Sequence, residues 1–182
     1  MHNFGLLSRT MVDENSKLKI FPGASSTPPS RTMPNNLQAE QNLLGAILLD
    51  NSVLERIDDR LLADHFYDPL HGRVFSTMQR LAERGQLANP VTLKSFFTDS
   101  DDFQSNGAES YLSELADGVI SITQAPDYAK VIHEAHVRRQ LVLIGDEVIL
   151  DASHPEVDVP AHQQIETAES KLFRLADTDN TS

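Results

Sequence analysis

The chain has no cysteine and no tryptophan, and only 6% of its 182 residues are aromatic. Without cysteine there is neither a disulfide nor a thiolate metal site, which suits a reducing cytoplasm. Its eight glycines are scattered, and no Gly-Lys pair occurs anywhere. That excludes the Gly-rich turn ending in Gly-Lys-Ser/Thr that wraps nucleotide phosphates with backbone amides. No Gly-x-Ser-x-Gly turn is present to raise a nucleophile. Positive charge is also short: 15 Lys and Arg stand against 27 Asp and Glu, for a net charge of −12, and Arg138-Arg139 is the sole adjacent basic pair. A duplex-DNA surface needs clustered cations to displace counterions, so the chain by itself is not expected to bind nucleic acid. The longest apolar stretches, Ala46–Leu49 and Leu141–Ile144, fall far short of a membrane span. The opening MHNFGLLSRT lacks the charged start and long apolar run of a secretory leader. A soluble, cytoplasmic protein is expected.

What the chain does have is helical punctuation. Residues 1–33 read as a flexible arm, because GASSTPPSRTMP (Gly23–Pro34) is rich in Pro, Ser and Gly and shows no apolar period. Residues 34–118 read as a helical head. A first helix starts near Asn35 or Asn36, carries Gln38 and Glu40 in its first turn, and places Leu43, Leu44, Ile47 and Leu48 on one face. Ser52 to Glu55 has the spacing of a capping box, opening a second helix that buries Val53 or Leu54, Ile57 and Leu61. Phe66-Tyr67 forms an apolar hook with both rings as core anchors. Asp68-Pro69 then starts a third helix, with Leu70, Val74, Met78 and Leu81 at helical spacing and Gly85 at its end. Thr92 is a candidate cap for a short helix with Leu93, Phe96 and Phe97. Asp99–Gly107 is a polar turn, and Tyr111, Leu112 and Leu115 mark a helix ending at Gly118.

Residues 119–177 differ in character, with 178–182 left as a tail. From Pro126 an apolar pattern runs to about Asp151, a helix of ~26 residues and ~39 Å, too long for a small head to cover. His154-Pro155 breaks it, and a second helix follows from Pro160. There Ala161, Ile165, Ala168, Leu172 and Leu175 recur at steps of four and three, a seam that needs a partner helix. The fold class is therefore all-α, a head of five to six short helices followed by a protruding antiparallel hairpin. The long helix carries two apolar stripes, one of Val131, Ala135, Val142 and Ile149 and one of Val137, Leu141, Ile144 and Val148. One hairpin partner covers one stripe. The second is left for another copy of the chain or for the head folded back over it.

Two titratable clusters invite a catalytic or metal reading. His133 and His136 flank Glu134, but HEAH lacks the HExxH spacing and a third converging ligand, so solvated or interface histidines are expected and no metal. Asp64, His65, Asp68 and His71 are accounted for by capping and packing. No catalytic residue is expected.

Taken in order, EQNLLGAILLDN (Glu40–Asn51), DHFYDPLHGRVF (Asp64–Phe75), NPVTL (Asn89–Leu93), YLSEL (Tyr111–Leu115), YAKVIHEAHVRRQL (Tyr128–Leu141) and AESKLFRLAD (Ala168–Asp177) resemble one family over roughly Pro34–Asp177. It is the N-terminal domain of bacterial replicative DNA helicases of the DnaB type. The resemblance implies a non-catalytic scaffold that dimerises through its hairpins, with Val137, Leu141, Ile144 and Val148 as interface candidates. Three such dimers form a collar on the hexameric motor. It also implies docking of the helicase-binding domain of primase, with Val142, Val148 and Ile165 as contact candidates, and an influence on a helicase loader. ATP and Mg belong to the family's motor domain, whose phosphate cradle this sequence lacks, so no cofactor is expected here. An independent helical regulator or adaptor without a helicase role is the other reading left open.

The absent phosphate cradle makes one outcome testable directly. Purified chain should release no phosphate from ATP above background, and turnover that a point substitution abolishes would contradict this.

Overall fold

In the computed structural model the described residues are 32–57, 61–97, 107–154 and 159–180, with side chains described as far as Asp177. The expected arm, most of the polar turn at 99–107 and Pro155 lie outside them. Residues 33–182 make one compact unit, and every described element is helical. Helix α1 spans Leu37–Leu49, α2 Val53–Arg56, α3 Pro69–Glu83, α4 Pro90–Lys94, α5 Gly107–Asp117, α6 Ala125–Ser153 and α7 Ala161–Asn180. Single 3-10 turns, Ala63–His65 and Ile122–Gln124, precede α3 and α6. None of these helices is long and apolar enough to cross a membrane.

The head is organised around α1. Asn36 caps it by accepting from the Ala39 amide at 2.9 Å, as Asn at this position does to satisfy an orphan donor. Most of its surface is covered, because α3, α5 and α6 each pack against it. Leu43, Leu44, Ala46 and Ile47 are fully buried together with Val74, Phe75 and Met78 of α3, Leu112 of α5 and Ile132 of α6. A helix apolar on most of its surface is stable only in such a position. Gly45 sets the closest approach: a Cβ there would lie 2.1 Å from the Leu115 carbonyl oxygen, so only glycine lets α5 come this near.

Polar side chains of α1 and the turn after it tie down the connections. Asn51 accepts from the Ala88 amide at 2.7 Å and donates to the Ile47 and Ala88 carbonyls. Asn42 accepts from the Ile120 amide at 3.0 Å, pinning the segment before α6. The deepest tie is Glu40. It is 1% exposed, and its carboxylate accepts from the amides of Tyr67 at 2.7 Å and Asp68 at 3.3 Å. His71 bridges it to α5, with Nδ1 at 2.7 Å from Glu40 Oε2 and Nε2 at 2.6 Å from the Tyr111 hydroxyl. Burial raises the Tyr111 phenol above its ordinary value.

Several expectations change in detail. Ser52 does not cap α2 with its side chain; its hydroxyl donates to Asp50 instead, at 2.6 Å. Asn89, not Thr92, caps α4, accepting from the Val91 and Thr92 amides, while Thr92 completes the box by accepting from the Asn89 amide. Phe66 is buried in the core, but Tyr67 is 41% exposed. The Tyr67 ring serves the Arg139 guanidinium, which lies 5.7 Å from its centroid. Asp68 caps α3 through the Leu70 amide at 2.8 Å, as its pairing with Pro69 implies.

Removing the Glu40 carboxylate should unsettle three helices at once. Glu40→Ala strands two amides and a buried imidazole and should cost about 3–5 kcal/mol, as breaking one side of a buried pair does. Urea unfolding followed by far-UV ellipticity measures this, and a loss below about 1 kcal/mol would contradict the assignment.

Candidate interaction surface

The site expected from the sequence is a surface, and α6 builds it. The first half of α6 belongs to the head, where Ala125, Ala129, Ile132, Ala135 and Arg139 are buried. Arg139 fastens this half. Its guanidinium donates to the Pro34 carbonyl at 2.8 Å and to the His65 carbonyl at 2.6 Å. Around it, His65 packs against His136 and His133, with ring centroids 4.3 and 5.1 Å away. The histidines of HEAH therefore meet a third histidine from the turn before α3; His133 and His136 are half-buried. Burial first, then the neighbouring His136 and His133, pushes His65 down to about 4. Burial and the Arg139 charge lower His136 as well.

Beyond Arg139, α6 leaves the head and pairs with α7. Lys171 is paired with Glu147, and Gln164 Nε2 donates to the Asp151 carbonyl at 3.0 Å. The earlier residue of α7 meets the later one of α6, so the two helices are antiparallel. Helical periodicity places 140, 144, 147 and 151 on one side of α6 and 164, 168, 171 and 175 on one side of α7. These sides form the seam, along which Ile144, Ala168 and Leu175 are half-buried. The expected α7 stripe is thus divided. Ala168 and Leu175 face the seam, whereas Ile165 and Leu172 are 60% and 45% exposed.

The exposed residues share a side. Leu141 and Val148 lie roughly 70–90° round α6 from the seam, and Ile165 and Leu172 lie a similar angle round α7. In an antiparallel pair, equal rotations away from the seam in chain order fall on the same flank. Leu141, Val148, Ile165 and Leu172 consequently form one apolar flank of the hairpin, and Ile149 is exposed on the side of α6 opposite the seam. Val137 and Val142 are half-buried. Leu143 and Leu150 continue the head-facing stripe past the end of the head and stand exposed on another side. The six residues singled out from sequence are therefore dispersed, Ile144 at the seam, Leu141, Val148 and Ile165 on the flank, Val137 between the two and Val142 on the side opposite the seam. Sequence reasoning missed Leu172 as a flank residue and Arg139 as the fastening at the root; the stepping by four and three groups Leu172 with residues that do face α6.

Similarity to known proteins is consistent along the chain. Residues 32–134 match the family model described as the DnaB-like helicase N terminal domain. A replicative DNA helicase DnaB of Rickettsia felis is 38% identical over 149 residues, covering 82% of this chain and 30% of that protein. The corresponding protein of Geobacillus stearothermophilus is 34% identical over 148 residues, covering 80% of this chain and 32% of that protein. The chain spans about a third of the length of the curated relatives it matches. Among solved structures, the N-terminal domain of DnaB helicase from Mycobacterium tuberculosis superposes with a TM-score of 0.66 at 26% identity, covering 79% of this chain and 99% of that one. A DnaB-like replicative helicase, solved in a study of its interactions with primase, superposes at 0.60 with 26% identity, covering 77% of this chain and 31% of that one. In sequence and in fold, this chain belongs to the family of DnaB-like helicase N-terminal domains.

Proposed function

We propose that the chain acts as a non-catalytic scaffold module of a cytoplasmic replicative helicase, assembling copies of itself and docking primase. The observation that carries this reading is the apolar flank of the hairpin. Leu141, Val148, Ile165 and Leu172 project from a hairpin whose partner helix is already in place. Burying side chains of this size is worth about 1.5–3 kcal/mol each. A two-fold axis would bury each of them twice, which is how a modest patch becomes a stable isologous contact. Ile144 and Val137, half-buried beside this flank, would support it from beneath. Such dimers, three to a ring, would form the collar of a hexamer, with a helicase loader as a further partner.

The primase reading rests on the second solved relative, whose own interactions with primase were described. On this chain Val148 and Ile165 are exposed, and Val142 is half-buried on the side of α6 opposite the seam. Val148 and Ile165 belong to the flank assigned to self-association, so at those residues primase and a second copy of the chain would compete, while Leu143 and Leu150 leave apolar surface on a separate side.

A charge on the flank tests assembly. Leu141→Asp or Val148→Asp should shift sedimentation towards monomer with helical content retained, because an unpaired charge costs several kcal/mol on burial. A wild-type chain that is monomeric at high concentration would refute self-association. Alanine substitutions separate docking from packing. Val148→Ala and Ile165→Ala should weaken titration calorimetry with the helicase-binding domain of the cognate primase at unchanged melting temperature, whereas Val142→Ala should lower both. Absence of heat from that domain, with free chain and assembled oligomer alike, would leave only the assembly role.

A further inference from the structure

The root of the hairpin contains a feature that scaffolding does not require. His65 stands on the turn before α3, and His133 and His136 stand one helical turn apart on α6, so three imidazoles meet across the head–hairpin contact. The hydrogen bonding is specific about protons. His65 Nδ1 accepts from the Leu62 amide at 3.3 Å and lies 3.5 Å from His133 Nδ1. A lone pair therefore has to remain on His65 Nδ1. Adding a proton there would set an N–H against the Leu62 N–H, while the Arg139 guanidinium is held 2.6 Å from the carbonyl of the same residue.

We propose that His65, His133 and His136 form a protonation-sensitive latch that fastens α6 to the turn before α3 and releases the hairpin from the head on acidification. Among the described charged groups, those facing the cluster are Asp64 on the turn, which favours the protonated rings, and Arg139 on α6, which opposes them. Glu40 of α1 and Tyr67 act on Arg139 and not on His65. Like charges brought within contact distance raise the energy of the latched state only when protons bind, so the device is silent near neutrality.

The sign follows from linkage. His65 is lowered from 6.5 to about 4 in the latched state, so a released His65 binds a proton over the intervening range and a latched one does not. Latching is complete above pH 6.5 and weakens as the pH falls from 6.5 towards 4. Over that range the ratio of latched to released chain changes about tenfold for each step of one in pH. For His65 alone the ratio should fall on the order of 10²-fold by pH 4.

A distance measurement across the contact tests this, and the lack of native cysteine makes labelling straightforward. Glu83→Cys at the end of α3 and Glu169→Cys on α7, both exposed, take spin labels for electron–electron double resonance at pH 7.5, 5.5 and 4.5. The expected result is one narrow distance distribution at pH 7.5 that broadens on acidification while far-UV ellipticity is kept. His65→Asn offers an oxygen acceptor near the position of Nδ1 that does not titrate, and should keep the narrow distribution at every pH. If that variant does not fold, His133→Gln combined with His136→Gln serves the same purpose by removing two of the three charges. An unchanged wild-type distribution down to pH 4.5, the same broadening in the variants, or cooperative loss of all helicity at that pH would each overturn the latch. Diluting the labelled chain into an excess of unlabelled chain keeps the readout internal to one chain, so its failure leaves the self-association and docking tests untouched.

Discussion

The Glu40 carboxylate is the constraint on which the head depends. A buried anion is tolerated only when its lone pairs are occupied, and here two backbone amides and an imidazole occupy them. The consequence is geometric. The amides belong to Tyr67 and Asp68, so the carboxylate fixes the chain immediately ahead of α3, where Asp68 must sit to cap it. His71, one turn further on, carries the same interaction through to Tyr111 of α5. One side chain of the central helix thereby sets the entry of α3, its rotation about its axis and its spacing from α5. Leucine or methionine in its place would fill the volume but specify none of these.

The same segment serves the hairpin. The turn that leads into Phe66 and Tyr67 also presents the His65 carbonyl to Arg139, and Arg139 reaches on to Pro34 at the start of the unit. The direction in which α6 leaves the head therefore depends on the conformation of residues 62–68, which Glu40 holds from the opposite side. Gly72 contributes to this arrangement, since a Cβ there would lie 2.4 Å from the Ala63 carbonyl oxygen. Core and appendage are coupled through a few residues of irregular backbone whose amides and carbonyls are satisfied from both sides.

Much of this was legible in the sequence, and the reasons for the exceptions are physical. The helices and their order follow from punctuation: Asn36, Asp68-Pro69 and Pro126 stand at starts, and Gly85 and Gly118 follow ends. The apolar spacing of Leu43, Leu44, Ile47, Val74 and Met78 identified the core. Glu40 was legible only as a charge suited to a helix N-terminus, because nothing in its neighbourhood along the chain announces acceptance from residues 27 and 28 positions away. Arg139 read only as half of an adjacent basic pair for the same reason. Tyr67 read as core because aromatic residues usually are, yet its ring faces a guanidinium that only the folded chain brings near. At the candidate surface, the stepping of Ile165, Ala168, Leu172 and Leu175 identified an amphipathic helix, but a single stripe about 100° wide spans both seam and flank. Which member falls on which side depends on where α6 lies, and polar contacts decide that, Lys171 with Glu147 and Gln164 with the Asp151 carbonyl.

The outer hairpin also explains why one sequence serves two environments in a single helix. Up to Arg139, the buried residues of α6 are mostly small, Ala125, Ala129 and Ala135, with Ile132 the one large apolar side chain among them. Beyond Arg139 the side chains become large and branched, Leu141, Val142, Leu143, Ile144, Val148, Ile149 and Leu150, and they occur on every side of the axis. A helix that projects from its own domain and is apolar all round is not a solvent-facing design. Asp146, Glu147 and Asp151 interrupt the apolar surface, and α7 engages the Glu147 side chain and the Asp151 carbonyl. The first half is thus shaped for the head, and the second half keeps apolar surface on the sides that α7 does not cover.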